Sequence, residues 1–587
     1  MMDRSTLEKR VSECESYLSG LYGQRVRPLL IPASLLFLLS TFSLGLLAFS
    51  PVQVGDDWRR LFQIDAPLVV QSGRWLKVVI WEAQGMPHRM HGISLLLSLA
   101  LMTVSTLLIS VLFFPEHRLQ SFLFSALIIF HPISTVHLIS YTHQFPHALA
   151  VTFLSISLFL LQFKSLDFTN SRYADLLVAL VSAVFLSLAV SIRQTFLFFW
   201  LVVAVSLLLN QRLSRQNLST VTPNATQVSF SRILMICFAS LVLYFFTWIL
   251  LPPFGSFSDS NHLPGYSVGG TLIQTLPDLE FTFQRFFTYF FKSQFGSSHL
   301  WSGFSKGVLL FCLLVLIGRI FIQSKGEVGF LRRLRLVFVN FGLLAFIFLA
   351  PWLLSLVRLP ANTVRMTALI GLIPIYGCLS YLTLNQVSYL PMRRLIEMLL
   401  LLVSFSFLIS QNMATNMVYY GNLKDFNTAQ SLIHRIEQHE NFATFSDSSQ
   451  QKLFYLGKLR RNRKDNDVSQ QFLEGPLGDS MVNWGVFNMM STQISDIHQL
   501  IEYSPPGLDR DYFELSANFH CSSGLKSGDA FGFSFLAALA PEKKQRLLQW
   551  ESSSRPWPSQ SSTLVLDNFA FIKLHENNKG GYFSCLK

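Results

Sequence analysis

The chain has 587 residues, of which 51% are hydrophobic, and it carries a formal net charge of +12 at pH 7. This composition is too apolar for a soluble globular protein, because the apolar residues are concentrated in runs that approach the length of a membrane span. The positive charge lies in residues 1–420, which hold 29 Lys and Arg against 16 Asp and Glu. A lipid bilayer is therefore the expected surroundings, and a nucleic-acid partner is not expected.

Eleven segments are apolar enough, and long enough or nearly so, for transmembrane helices of about 20 residues each. Two longer stretches, 174–210 and 336–385, are each divided by a polar turn, at Arg193-Gln194 and at residues 358–362. The predicted fold is therefore a polytopic α-helical membrane protein. Its predicted spans are 29–49, 92–114, 121–138, 145–163, 174–191, 194–210, 232–252, 306–323, 336–357, 364–385 and 395–412.

Lys and Arg are frequent in the loops that share a side with the N-terminal segment, 1–28, and this bias places that side in the cytoplasm. The transmembrane domain is predicted at 29–412, with two substantial loops, 50–91 and 253–305, on the outer side. An odd number of spans then places the C-terminal domain, 413–587, outside the cytoplasm.

The C-terminal segment alternates short apolar runs with Pro, Gly, Asn and Ser from residue 431 onward. This pattern predicts a soluble domain that is mixed α/β or rich in β-structure. Cys521 and Cys585 lie in this segment and could form a disulfide if it is extracytoplasmic.

Two adjacent carboxylates, Asp56 and Asp57, directly follow the first predicted span. A carboxylate can accept a proton from an attacking hydroxyl or hold a cation, which makes the pair a candidate catalytic site. The alternative is that one of them caps the next helix, since Asp is favoured at that position. Aromatic and aliphatic residues recur among the basic residues of 50–91 and predict one or two short amphipathic helices at the membrane interface.

Basic residues on the predicted outer side are candidates for binding a phosphate, because guanidinium groups pair well with phosphate oxygens. Arg and Lys beside a bilayer can instead extend to lipid phosphates without any specific site, and this alternative stays open. The candidate donor-phosphate residues are Arg59, Arg60, Arg74, Arg285, Arg358 and Arg365, and Arg193 lies on the same predicted side.

Several histidines also fall near the predicted outer face: His88, His91, His131, His137, His143 and His147. No pair of them has a recognised metal-ligand spacing with a carboxylate, so we predict polar lining or packing and no metal site. No cofactor is expected.

The Asp56-Asp57 pair after the first span, followed by Gly73-Arg74, resembles the serotype-conversion O-antigen glucosyltransferases of bacteria, which are polytopic enzymes of the GT-C class. The resemblance covers about residues 25–440, and Arg193 departs from it, since an aromatic residue is expected before Gln194. Weaker similarities to that family lie in Ser191–Phe196, in Pro360–Gly371 with Arg365, and in the polar helix predicted over Asn416–Ile436.

The resemblance implies a GT-C-like transmembrane domain that transfers a hexose, with glucose expected, from a polyprenyl-phosphate-linked donor. The transfer would be inverting and metal-independent, on the periplasmic face of the bacterial inner membrane, with O-antigen or a similar surface glycan as the acceptor. By position, Asp56 and Asp57 would be the catalytic carboxylates and Arg74 a donor-phosphate or structural contact. The alternatives are a transferase with a protein or lipid acceptor, and a lipid-linked sugar transporter or flippase.

Overall fold

The protein is described here from a computed structural model, which covers most of the apolar segments and part of the C-terminal segment. The described residues are 27–49, 74–84, 91–114, 117–139, 143–162, 172–214, 228–250, 299–325, 329–352, 370–441, 443, 451–456, 510–515, 539–556, 559–567 and 569–573. Among them the chain divides into two compact units, the first ending at Asn416 and the second beginning at Met417.

The first unit is helical, and its helices coincide with the apolar runs of the sequence. The helices are α1 (Leu30–Phe49), α2 (Trp75–Ala83), α3 (His91–Phe113), α4 (Arg118–Ile129), α5 (Pro132–Ile139), α6 (Gln144–Gln162), α7 (Arg172–Ile192), α8 (Phe196–Ser214), α9 (Phe230–Leu250), α10 (His299–Lys325), α11 (Phe330–Leu349), α12 (Ile373–Gln386) and α13 (Leu390–Glu437). Residues 417–437 of α13 belong to the second unit.

Among the described residues, seven helices are long and apolar enough to cross a membrane, namely α1, α3, α6, α7, α8, α9 and α10. The number rises to eight if α4 and α5, which are bent by 59° at their junction, form one broken span. The bend coincides with Pro132, which has no N–H to continue the hydrogen bonding of α4. This number of apolar helices agrees with a polytopic helical membrane protein, whereas the total of eleven spans stays a prediction.

Helix α6 lies between α3 and α7 and also contacts α5 and α8. Serine hydroxyls link α6 to two of these helices. The Oγ atoms of Ser157 on α6 and Ser182 on α7 are 3.0 Å apart. Trp200 Nε1 on α8 donates to Ser157 Oγ at 3.0 Å. Small polar side chains suit such a place, because they allow close helix approach and bond between helices where water is excluded.

A second polar link joins α1, α5 and α13 through Gln411, which is 1% exposed. Ser43 Oγ donates to Gln411 Oε1 at 2.6 Å, and Gln411 Nε2 donates to Thr135 Oγ1 at 3.2 Å. Both ends of the amide are therefore satisfied, as a buried glutamine requires.

The second unit contains a four-stranded sheet in the spatial order β2-β1-β4-β3. Its elements are β1 (Gln451–Leu456), β2 (Arg510–Leu515), α14 (Pro541–Ser553), β3 (Thr563–Leu566) and β4 (Phe569–Lys573). β1 pairs in parallel with β2 and β4, and β3 pairs antiparallel with β4. The β3–β4 hairpin turns at Asp567, whose φ of 49° is a left-handed conformation that Asp tolerates.

Candidate functional site

Helix α2, from the loop predicted to lie on the outer side, brings basic side chains onto the long apolar helices. It packs against α7, with Val78, Ile80 and Trp81 buried. The sequence predicts a short amphipathic helix in this loop, and the apolar face of α2 lies against a neighbouring helix. Arg74 immediately precedes α2 and Lys77 lies in its first turn, so both are carried to the same place.

Lys77 is buried, with 4% of its surface exposed. Its Nζ lies 2.5 Å from Nδ1 of His143, at the N-terminal end of α6, and 4.6 Å from the centroid of the Trp81 ring. When Lys77 is protonated it can only donate, so in that state His143 Nδ1 accepts the hydrogen bond. The Trp81 ring adds a cation–π contact.

Arg193 reaches the same region from the turn between α7 and α8. One guanidinium nitrogen lies 3.4 Å from both ring nitrogens of His137 on α5. The His137 ring stacks on that of His147, one turn into α6, with centroids 4.6 Å apart and planes inclined by 14°. Arg193 also interacts electrostatically with His147. The two stacked imidazoles thus connect α5 to α6, and Arg193 of the turn interacts with both.

The same turn is linked to α9. Gln194 Nε2 donates to the Tyr244 hydroxyl at 3.0 Å, and Arg74 lies close enough to interact electrostatically with that hydroxyl. Five segments therefore meet here: the start of α2, the end of α5, the start of α6, the α7–α8 turn and α9. We call the group Arg74, Lys77, His137, His143, His147 and Arg193 the basic cluster.

The basic cluster has the chemistry of an oxyanion site. Arg74, Lys77 and Arg193 supply charged donors, and the N-terminal turn of α6 adds the partial positive charge of a helix dipole. Buried surroundings strengthen such interactions, because less water competes for the anion. Among the described residues, no group of three His, Cys, Asp or Glu side chains is placed to hold a metal ion.

Most of the sequence-predicted site residues lie outside the described residues: Asp56, Asp57, Arg59, Arg60, Arg285, Arg358 and Arg365. Of that set, Arg74 is described, and it belongs to the basic cluster. Arg193, predicted on the same side of the membrane as Arg74, is brought to the cluster as well.

Sequence patterns do not single out Lys77, and they predict polar lining or packing for the histidines without placing them beside basic residues. The sequence spacing does indicate which of these residues share a helix face. Lys77 is three residues after Arg74 and four before Trp81, and His143 and His147 are four residues apart. The spacing does not show that the α2 face meets the α6 face, because 66 residues separate Lys77 from His143.

Comparisons of this chain with protein-family models, with curated proteins and with solved structures find no match. The resemblance to the O-antigen glucosyltransferases therefore depends on the residues quoted above. Function has to be argued from the basic cluster and its surroundings.

Proposed function

We propose that the protein is a membrane glycosyltransferase that moves a hexose from a polyprenyl-phosphate-linked donor to a cell-surface glycan such as O-antigen. The observation that carries the proposal is the convergence of Arg74, Lys77 and Arg193 beside the start of α6. A lipid-linked sugar phosphate needs cationic donors for its phosphate and apolar surface for its tail. The cluster and the surrounding helices supply both.

The proposed topology has eleven spans, with the N-terminus in the cytoplasm and the basic cluster and C-terminal domain on the periplasmic side of the bacterial inner membrane. Arg193 and Arg212 support it, because they lie at opposite ends of α8, whose 19 residues span about 28 Å. At the Arg212 end, Arg212 Nε donates to Asn340 of α11, and Gln323 of α10 donates to the Arg212 carbonyl oxygen. The adjoining ends of α10 and α11 carry the excess of basic residues expected on the cytoplasmic side, namely Lys325, Arg332, Arg333 and Arg335.

In the proposed reaction, Asp56 or Asp57 accepts the proton of an acceptor hydroxyl, whose oxygen attacks the anomeric carbon of the hexose. The bond from that carbon to the phosphate oxygen breaks, and polyprenyl phosphate leaves with the electron pair. Charge on the leaving phosphate rises during this step, so fixed cations stabilise the transition state more than the ground state.

The donor phosphate is held, in this proposal, by residues from the predicted set Arg59, Arg60, Arg74, Arg285, Arg358 and Arg365. The geometry adds Lys77 and Arg193 to them. Lys77 is fixed in the cluster by its contacts to His143 and Trp81, and Arg193 by its contact to His137, so neither side chain has to be ordered when the phosphate binds.

The test compares surface polysaccharide from cells that produce the wild-type chain, Asp57→Asn or the control Asp175→Asn. Asp175 is an exposed residue in the first turn of α7, at the end of that helix remote from Arg193. We expect a hexose-sized mass increment with the wild type and the control and none with Asp57→Asn, at equal amounts of protein in the membrane. Normal modification by Asp57→Asn would make the base assignment wrong. No increment with any chain would favour a protein or lipid acceptor, or a sugar-lipid transporter.

A further inference from the structure

We propose that Gln144, His147 and Thr195 form a hydroxyl-binding subsite for the hexose of the donor, next to the phosphate-binding cations. The inference rests on the proposed function, since it assigns the sugar end of the same substrate. It concerns residues that bind through neutral hydrogen bonds, and it is separate from the assignment of the catalytic carboxylates.

The subsite is marked by buried polar atoms without hydrogen-bond partners among the described residues. Gln144 is fully buried, and neither Nε2 nor Oε1 of its amide has a partner. His147 and Thr195 are each 3% exposed, and His147 Nε2 and Thr195 Oγ1 also have no partner there. Such groups cost free energy of folding, and a ligand that pairs with them recovers it.

The three side chains come from two segments that touch. Gln144 and His147 are one turn apart at the start of α6, and Thr195 lies in the turn that opens α8. The His147 ring contacts that of Phe196, with centroids 5.3 Å apart, and Arg193 interacts electrostatically with His147. The two segments that carry the unpartnered atoms therefore meet beside Arg193 of the basic cluster.

The chemistry of these atoms selects a hydroxyl-bearing ligand over a phosphate. An ionised phosphate only accepts hydrogen bonds, so it leaves Gln144 Oε1 unsatisfied. A sugar hydroxyl both donates and accepts, and neighbouring hydroxyls can pair with the two ends of one amide. Thr195 Oγ1 can likewise donate and accept, and His147 Nε2 does either according to its tautomer.

The experiment measures binding of two probes, polyprenyl phosphate and polyprenyl-phosphate glucose, to the full chain in lipid nanodiscs. The variants are Gln144→Leu and the near-isosteric Thr195→Val. The control is Gln162→Leu, at the far end of α6, where Gln162 Nε2 donates to the Leu112 carbonyl oxygen at 3.4 Å. Thermal unfolding is recorded for each variant.

We expect the wild type and Gln162→Leu to bind the glucose-bearing lipid about tenfold more tightly than the sugar-free lipid. Gln144→Leu and Thr195→Val should reduce this ratio towards one while leaving the affinity for polyprenyl phosphate unchanged. Gln144→Leu should also unfold at or above the wild-type temperature, because it removes an unpartnered buried amide.

The outcomes separate the two proposals. If both variants keep the wild-type ratio, or if Gln144→Leu lowers the unfolding temperature as loss of a structural hydrogen bond would, the subsite is wrong and the proposed function stands. If the wild type binds neither probe above plain phospholipid, the proposed function fails, and the subsite fails with it.

Discussion

At the scale of single residues, Lys77 is the most informative side chain of the first unit. It is buried, contacts His143 and lies over Trp81. A lysine that only snorkelled to lipid phosphates would keep its ammonium group at the membrane surface. Lys77 is instead held inside the first unit by His143 and Trp81, close to the residues that the proposal assigns to the donor phosphate.

Replacing Lys77 by Met should therefore separate activity from stability. Met keeps the length and apolar stem of Lys but removes the charge, so hexose transfer should fall about 100-fold or more, the usual effect of losing one preorganised donor. The unfolding temperature should change little, because the hydrogen bond to His143 and the contact with Trp81 are lost together with the cost of burying the ammonium group. Transfer rates and thermal unfolding in nanodiscs measure both effects.

The matched control is Lys544→Met on α14, a half-exposed lysine of the second unit. It should leave the transfer rate unchanged. A Lys77→Met protein with near-normal transfer would remove Lys77 from the phosphate site. A protein that no longer folds would give Lys77 a structural role instead.

Local sequence patterns reveal part of this site and miss the rest for a physical reason. Arg74 and Arg193 stand out because positive charge is disfavoured on the outer side, and this argument needs no partner. Lys77 and His137 become meaningful only when α2 meets α6 and α5 meets the α7–α8 turn. Such pairings depend on packing between distant segments, which residue spacing within one helix does not encode.

His439, which follows α13 in the second unit, gives a residue-scale test by pH. Partial burial lowers the pKa of His439, and nearby Arg546 acts in the same direction while Glu440 opposes them. Its Nδ1 accepts a hydrogen bond from the Asn441 backbone N–H at 3.3 Å, which protonation of that atom abolishes. The folded state therefore favours the neutral ring.

A lowered folded-state pKa means that the folded protein binds fewer protons than the unfolded protein near the ordinary histidine pKa. The stabilising contribution is complete above about pH 6.5 and is lost as the pH falls below it. The protection factors of amides around residues 434–441 in the full chain, each corrected for the intrinsic exchange rate at that pH, should therefore fall at low pH. His439→Gln should flatten this dependence, whereas His434→Gln, at an exposed position, should keep it. A similar pH dependence in all three chains would contradict the prediction.

At the scale of elements, glycine positions report how tightly the helices pack. Gly377 on α12 faces Phe124 on α4, and a Cβ atom at position 377 would lie 3.0 Å from the Phe124 ring. The ring is 1% exposed, so it has no open space to move into. Gly318 on α10, a helix that also packs against α12, has no atom within 4 Å of such a Cβ.

Gly377→Ala and Gly318→Ala should therefore change stability in opposite directions. The first forces α4 and α12 apart and should lower the free energy of unfolding by about 1–3 kcal/mol. The second should raise it by up to about 1 kcal/mol, because Ala restricts the unfolded chain and favours the helix. Thermal or denaturant unfolding in nanodiscs measures the pair. A neutral Gly377→Ala would mean that α4 and α12 pack less closely than described.

Hydropathy predicted which segments form helices better than it predicted the residues at which those helices begin and end. The spans predicted at 92–114 and 174–191 nearly coincide with α3 and α7. Around the span predicted at 121–138, the chain forms two helices bent at Pro132, and the helix that includes 395–412 continues to Glu437. Hydropathy reports which residues prefer an apolar environment, whereas helix ends are set by backbone hydrogen bonding and by proline.

At the scale of the whole molecule, the orientation in the membrane decides which face holds the basic cluster. The α7–α8 turn with Arg193 and the α12–α13 connection at Ser388 are predicted on opposite sides. The argument combines the excess of Lys and Arg in one set of loops with the alternation of helix direction along the chain. The proposed periplasmic reaction requires this orientation, because the surface glycan is available only outside the cytoplasm.

Cysteine labelling in intact spheroplasts tests the orientation directly. In a chain whose six cysteines are replaced by Ser, Glu82→Cys on α2 and Ser388→Cys each introduce one thiol at an exposed position. A membrane-impermeant maleimide should label Glu82→Cys in intact spheroplasts and label Ser388→Cys only after the membrane is opened. The reverse result would place the basic cluster in the cytoplasm, where a nucleotide-sugar donor becomes available and a polyprenyl-phosphate donor is no longer required.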